Sequence, residues 1–223
     1  MRDANEHWDD YEPERLRSME LLLRRGDVLF DIGVESGWLS AIYAQFVGAE
    51  NMCLFEPAEQ QWPNIQATWQ ANVLATPRAT FCGFVADRGD ALPQLDTWPA
   101  AADGEFLLEE MRFRSLRDSP SSYPRVSIDA FVRTTGIVPC GIAIDIEGAE
   151  ILALRGAAET LEKHRPLLWV SMHEGTAAEP GPLRYDYGSS LQEILDLMAR
   201  AGYAAEHLGT DWEMHFLFSP YAP

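Results

Sequence analysis

Short apolar runs alternate with segments of helical spacing along most of the chain, and this alternation limits the possible folds more than any other feature. Apolar runs of four to six residues predict buried strands at residues 28–32, 52–55, 80–85, 142–146 and 167–172. Before, between and after these strands, apolar residues at helical spacing predict helices that begin near residues 14, 38, 62, 149 and 191. Buried strands connected by helices indicate a parallel sheet covered on both faces.

Three segments depart from this alternation. Residues 204–218 contain two strand-like runs joined at Gly209-Thr210-Asp211, which predicts a C-terminal antiparallel hairpin. Residues 88–125 are rich in Pro, Ala, Asp, Ser and Arg, and they predict an insertion with a hairpin near 106–116. Residues 175–188 form a second Gly/Pro-rich loop. We therefore predict one α/β domain over residues 1–223, Rossmann-like, with a mostly parallel seven-stranded sheet, the C-terminal hairpin, and an N-terminal extension and helix at 1–25.

Charge and cysteine content argue against several classes of protein. The chain has 17 Lys and Arg against 35 Asp and Glu, a formal net charge of -18, whereas nucleic acids and anionic membranes attract positive surfaces. It has no apolar run of about 18 residues, and its acidic N-terminus does not resemble a secretory signal. Its three cysteines, without C-x-x-C spacing, favour a reducing compartment. We expect a cytoplasmic protein without nucleic-acid or membrane partners.

The end of the first predicted strand carries a candidate cofactor loop, Asp31-Ile32-Gly33-Val34-Glu35-Ser36-Gly37. Ligands of open α/β sheets bind at this edge, and glycine lets a ligand approach the backbone closely. The dinucleotide pattern G-x-G-x-x-G would need glycine at position 31, and the carboxylates of Asp31 and Glu35 would repel a pyrophosphate. The loop therefore favours a cationic or zwitterionic ligand such as S-adenosylmethionine, with a tight turn that binds nothing as the alternative.

The next two strands end in further acids. Glu56 follows Gly33 by 23 residues, the place from which an acid accepts hydrogen bonds from ribose hydroxyls. Asp87 ends the third predicted strand, where it either receives an adenine amino group or forms a turn before Gly89. The predicted cofactor-binding residues are Asp31, Gly33, Glu35, Gly37, Glu56 and Asp87.

The fourth and fifth strands predict a second cluster at the same edge. Asp145 and Glu147 end one strand and His173 ends its neighbour, while His215 lies near the start of the last strand. Neighbouring strands are about 4.8 Å apart, so these side chains are expected to meet. They predict either a general base for a hydroxyl or a divalent metal site on Asp145, His173 and His215. For His215 a hydrogen-bonded strand histidine is the alternative.

Together these segments resemble the FkbM family of S-adenosylmethionine-dependent methyltransferases. The similarity runs in order through residues 26–33, Phe55-Glu56-Pro57, 64–72, 126–131 and 144–157, and continues through 166–173. The most specific part is Ile144-Asp145-Ile146-Glu147-Gly148-Ala149-Glu150. The resemblance implies a class I methyltransferase fold, and it implies O-methylation of sugars or polyketide-like natural products.

The predicted function is therefore methyl transfer from S-adenosylmethionine to an acceptor hydroxyl, on a small molecule or glycan. Asp145, Glu147 and His173 are the predicted catalytic residues, either with His173 as the base or with a metal that lowers the pKa of the hydroxyl. Two alternatives stay open. One is a nicotinamide-dependent oxidoreductase, and the other is a non-catalytic cofactor-binding module, which Ala143 and Ser171 favour because they depart from the family pattern. The sequence also permits a homodimer.

Overall fold

The computed structural model describes residues 12–99, 124–173, 190–211 and 213–222. The predicted hairpin near 106–116 and the loop 175–188 lie outside these residues. In the described part, the helices are α1 (Pro13–Leu22), α2 (Trp38–Val47), α3 (Trp62–Ala71), α4 (Ile128–Thr135), α5 (Glu150–Arg155), α6 (Ala158–His164) and α7 (Leu191–Arg200), with 3-10 turns at Ala49–Asn51 and Glu59–Gln61. The strands are β1 (Leu29–Ile32), β2 (Met52–Phe55), β3 (Ala79–Phe81), β4 (Phe84–Val85), β5 (Gln94–Leu95), β6 (Arg125–Val126), β7 (Gly141–Ile144), β8 (Leu167–Met172), β9 (Tyr203–Thr210) and β10 (Met214–Pro220).

The main sheet has the strand order β5-β3-β2-β1-β7-β8-β10-β9. The five strands from β3 to β8 are parallel to one another, and β5, β10 and β9 run antiparallel to their neighbours. The predicted α/β architecture and C-terminal hairpin are therefore confirmed. The prediction of seven strands was wrong, because the described sheet has eight.

Hydrophobic packing explains why the predicted central strands form. Strands β1, β2 and β7 are buried along their whole length, as expected for parallel strands covered on both faces. Alternate side chains of β1 contribute to two separate cores: Leu29 packs with α1, α2 and α3, and Phe30 packs with α4 to α7. No described helix has the length and apolar character needed to cross a membrane.

Three details differ from the sequence-based expectations. The predicted strand 80–85 is two strands, because the chain leaves the main sheet after Phe81 and β4 pairs with β6 in a separate two-stranded sheet. The predicted helix 149–161 is interrupted at Gly156 and divides into α5 and α6. Helix α4 was not predicted, although the Ser127 side chain caps it by accepting a hydrogen bond from the Ala130 N–H (3.2 Å).

Candidate active site

A cleft opens at the carboxyl ends of β1, β2 and β7, the edge at which open α/β sheets bind ligands. It encloses about 850 Å³ when the open space at its mouth is included. Its lining is formed by Ile32, Gly33, Glu35, Phe55, Glu56, Pro57, Gly83, Phe84, Val85, Asp145, Ile146, Glu147, Ala149 and Glu213. The two predicted residue clusters therefore contribute to one cleft.

The glycine loop after β1 forms one wall of the cleft. Gly33 has φ of +94°, and a Cβ atom at this position would lie 1.7 Å from the carbonyl oxygen of Asp145. Gly37 has φ of +83° and begins α2, where a Cβ atom would lie 3.2 Å from Ile65. Glu35, which lines the cleft, is a non-glycine residue at positive φ (52°). Glycine at position 33 is therefore required for the close packing of the loop against the end of β7.

Glu56 stands at the end of β2 as predicted for a ribose-binding acid. It is 4% exposed, and its two carboxylate oxygens accept hydrogen bonds from the backbone N–H groups of Glu35 (2.9 Å) and Ala58 (2.8 Å). These bonds hold the carboxylate in a fixed orientation in the cleft lining. An acid at the end of this strand is placed to accept hydrogen bonds from the ribose hydroxyls of a bound nucleoside.

Asp31 does not line the cleft, contrary to the prediction that it contacts the cofactor. It shares the face of β1 with Leu29, so its side chain lies beneath α2 and accepts a hydrogen bond from the Ser40 hydroxyl. Burial raises the pKa of this carboxyl to about 6, although the Ser40 hydrogen bond and the charge of Arg15 oppose the shift.

Asp87 is also outside the cleft lining. Its side chain is exposed, two residues beyond β4, because the chain has already left the main sheet at this point. The structure does not bring Asp87 together with the other predicted cofactor residues.

His173 lies at the centre of the second cluster, which borders the same cleft. Its Nδ1 is 2.8 Å from Glu150 Oε1, and its Nε2 faces the carboxylates of Glu213 (3.0 Å), Asp145 (3.5 Å) and Glu147 (3.7 Å). Burial opposes a charge on the ring, but the hydrogen bonds and charges of the surrounding acids outweigh it and raise the His173 pKa to about 11. In the ligand-free chain the ring is therefore a cation at neutral pH, and it cannot act as a general base in that state.

Asp145 and Glu147 meet at His173 although β7 ends at Ile144. Glu147 reaches the cleft through a turn in which it has φ of 56°, and its side chain is half exposed. Burial and the charge of Glu213 raise the Asp145 pKa well above its ordinary value, whereas His173 and Arg15 act in the opposite direction. The three predicted catalytic residues are thus in one place.

His215 is not part of this cluster, so the predicted metal set Asp145, His173 and His215 is not the one that the structure brings together. The ring of His215 is buried, 3.1 Å from Ser171 Oγ and 3.1 Å from Asp211 Oδ1. The register of β10 against β8 pairs Met214 with Met172 and His215 with Ser171. Continued by one residue, this register places Glu213 opposite His173.

Sequence reasoning missed three residues of the site: Glu213, Glu150 and Arg15. Glu213 precedes His215 by two residues and so shares its face, and Glu150 belongs to the motif that begins at Ile144. Arg15 gave no signal, because it lies on α1, far away in sequence. It is 1% exposed, and its Nη1 donates hydrogen bonds to Glu12 (2.6 Å) and Ser171 (2.7 Å). The same Nη1 atom lies 3.9 Å from Asp145 Oδ2.

Comparisons with known proteins agree with this architecture. Residues 99–205 match the family model of the methyltransferase FkbM domain. The structure of methyltransferase FkbM from Methylobacillus flagellatus KT is similar, with a TM-score of 0.52 and 17% identity over 91% of this chain and 50% of that chain. The match to the family model, over just under half of the chain, supports an FkbM-family methyltransferase. The chain spans half the length of the Methylobacillus protein.

Other solved structures share the fold of this chain at low identity. A SAM-dependent O-methyltransferase from Thermotoga maritima has a TM-score of 0.54 and 10% identity, over 95% of this chain and 66% of that chain. A putative rRNA-methylase from Clostridium thermocellum has a TM-score of 0.52 and 11% identity, over 93% of this chain and 95% of that chain. No curated protein matches the sequence. The predicted methyltransferase fold is confirmed.

Proposed function

We propose that this chain transfers the methyl group of S-adenosylmethionine to a hydroxyl oxygen of a small molecule or glycan. The observation that carries the proposal is a single cleft with the fixed carboxylate of Glu56 on one side and the cluster of Asp145, Glu147 and His173 on another. The first feature suits the ribose of the cofactor. The second suits a group that must lose a proton.

The charge of the cleft supports a cationic cofactor. Five acids line it (Glu35, Glu56, Asp145, Glu147 and Glu213), and its described lining includes no Lys or Arg. S-adenosylmethionine carries an ammonium and a sulfonium group, whereas a pyrophosphate would face these carboxylates without a cation to offset them. The same observation argues against the nicotinamide alternative.

The acceptor side follows from the position of the second cluster. Bound S-adenosylmethionine supplies an electrophilic methyl group. The acid–histidine cluster would orient the acceptor hydroxyl, and a carboxylate of the cluster would take its proton as the new O–C bond forms. A sugar or polyketide-like natural product as the acceptor rests on the family resemblance. Release of S-adenosylhomocysteine from S-adenosylmethionine, measured with a panel of hydroxylated acceptors, tests the acceptor class.

Calorimetric titration with S-adenosylhomocysteine, in the presence of EDTA, tests the cofactor site. We expect binding by the wild type and a loss of about 10-fold or more in Glu56→Gln, because hydrogen bonds to a charged acceptor contribute about 1.5–3 kcal/mol each. Asp87→Asn is the matched control, since it removes the same charge from an exposed residue outside the cleft. No binding by the wild type, or equal weakening in both variants, would contradict the proposal.

A further inference from the structure

Three potential metal ligands converge beside the cleft. One ligand atom from each of Asp145, His173 and Glu213 lies within 4.8 Å of the other two. They come from three separate parts of the chain: the end of β7, the end of β8 and the residue before β10. Spacing along the sequence therefore does not reveal the set.

The imidazole of His173 has the orientation of a metal-binding histidine. Its Nδ1 is 2.8 Å from Glu150 Oε1, and the same oxygen accepts a hydrogen bond from the Gly148 N–H (2.9 Å). Glu150 is 1% exposed and the His173 side chain 4%, so the pair is fixed by its surroundings. A carboxylate on one ring nitrogen is the usual partner of a histidine whose other nitrogen binds a metal. Here that other nitrogen, Nε2, faces the carboxylates.

Glu213 supplies independent support for a ligand at this position. Its Oε2 atom is buried, and its contact with the described residues is an ion pair with His173 Nε2 (3.0 Å) that lacks the geometry of a normal hydrogen bond. A buried acceptor without a hydrogen bond is costly, and a bound cation would satisfy it.

The charge balance also favours a cation. Glu150, Asp145, Glu147 and Glu213 all lie within 3.7 Å of one imidazole. A protonated ring offsets one of these carboxylates, and the charge of Arg15, 3.9 Å from Asp145, partly offsets another. A divalent ion in place of the ring proton would add one positive charge where the carboxylates are closest together.

We propose that Asp145, His173 and Glu213 form a binding site for a divalent metal ion, with Glu150 as a positioning residue for His173. One imidazole and two carboxylates suit a divalent ion such as Mn²⁺ or Zn²⁺, and three protein ligands leave coordination positions for an acceptor. Binding of the ion does not depend on the proposed function, whereas its use in methyl transfer does.

In that use, the ion lowers the pKa of the acceptor hydroxyl, and the half-exposed Glu147 carboxylate takes the proton and passes it to water. The acceptor oxygen then forms its bond to the methyl carbon as the carbon–sulfur bond breaks, and the sulfur retains the electron pair. The products are the methyl ether and S-adenosylhomocysteine.

Titration of metal-free protein with Mn²⁺, without any cofactor, tests the site by calorimetry and by the electron paramagnetic resonance signal of free Mn²⁺. We expect one saturable site in the wild type. Loss of an orienting carboxylate typically weakens metal binding about 10–100-fold, so Glu150→Gln should fall in this range and Glu213→Gln beyond it. The same ion should raise the Tm of the wild type and not that of Glu213→Gln.

Two control variants separate the proposed ligands from their neighbours. Asp211→Asn removes the same charge from the same hairpin, and His215→Gln removes the histidine next to Asp211. Both should bind Mn²⁺ within about 3-fold of the wild type, because neither residue is in the ligand set. The proposal is overturned if the wild type has no saturable site, if Asp211→Asn weakens binding as much as Glu213→Gln, or if His215→Gln alone abolishes it. Titration with S-adenosylhomocysteine in EDTA, as above, separates failure of the metal site from failure of the cofactor site.

Discussion

Replacement of Gly33 by alanine tests the closest backbone contact in the cleft. An added Cβ atom would lie 1.7 Å from the Asp145 carbonyl oxygen, so the glycine loop and the end of β7 would have to separate. Gly26→Ala is a matched control, because Gly26 has nearly the same φ (+97° against +94°) but no heavy atom within 4 Å of its added Cβ.

The two variants separate conformational strain from steric overlap. A residue other than glycine at such a φ costs about 1–3 kcal/mol, and reduced entropy of the unfolded chain returns about 0.4–1 kcal/mol. We therefore expect Gly26→Ala to lower the free energy of unfolding by about 1–2 kcal/mol. Gly33→Ala adds an overlap that costs about 1–3 kcal/mol in a packed site, which gives a total of about 2–5 kcal/mol.

Urea denaturation followed by circular dichroism measures both values, and titration with S-adenosylhomocysteine measures the effect on the cleft. Displacement of the loop should weaken binding at least about 10-fold in Gly33→Ala and leave Gly26→Ala unchanged. Equal destabilisation and equal affinity in the two variants would refute the close approach of the loop to Asp145.

Two further predictions concern buried charges. The raised pKa of Asp31 (about 6, against 3.8) means that the folded chain binds its proton more tightly, so this contribution to stability is present below about pH 4 and is lost as the pH rises to about 6. We expect Asp31→Asn to remove up to about 3 kcal/mol of this pH-dependent loss of stability. The measurement is the free energy of unfolding in urea, for the variant and the wild type, at pH 4 and at pH 7. An equal loss between the two pH values in both proteins would contradict the prediction. Arg15→Met should destabilise by about 3–5 kcal/mol because it leaves the buried Glu12 without its cation, whereas Arg155→Met, at a surface ion pair with Glu193, should cost less than about 1 kcal/mol. Similar values for the two arginine variants in urea denaturation would show that the buried pair is not stabilising.

Most of the central strands and the helices between them were predictable because hydrophobic patterning is local. The bounds of α2, β2 and β8 agree with the predicted segments, since each is an apolar run with a clear end, such as Gly48 after α2 or Pro57 shortly after β2. The strand β3 was less predictable. Its continuation past Phe81 looks apolar, but β4 finds a different partner strand from beyond the insertion.

The main parts of the cleft were also predictable from the sequence. Gly33, Glu56, Asp145 and Glu147 lie just after strands, and the carboxyl ends of parallel strands share one edge whatever the details of packing. The position of Asp31 outside the cleft lining was not predictable. The face of the sheet to which a strand residue points depends on how the strand is placed between its two layers of helices.

The sequence by itself determined an α/β chain with acids and a histidine at one edge of the sheet, and its motifs resemble those of the FkbM family. Only the tertiary structure decided which of those residues meet. Glu213 rather than His215 stands beside His173, because the register between β10 and β8 depends on long-range pairing, and a shift of two residues would place His215 there instead. Arg15 reaches Ser171 and the vicinity of Asp145 because α1 packs across the sheet, a contact between distant parts of the chain that no local pattern encodes.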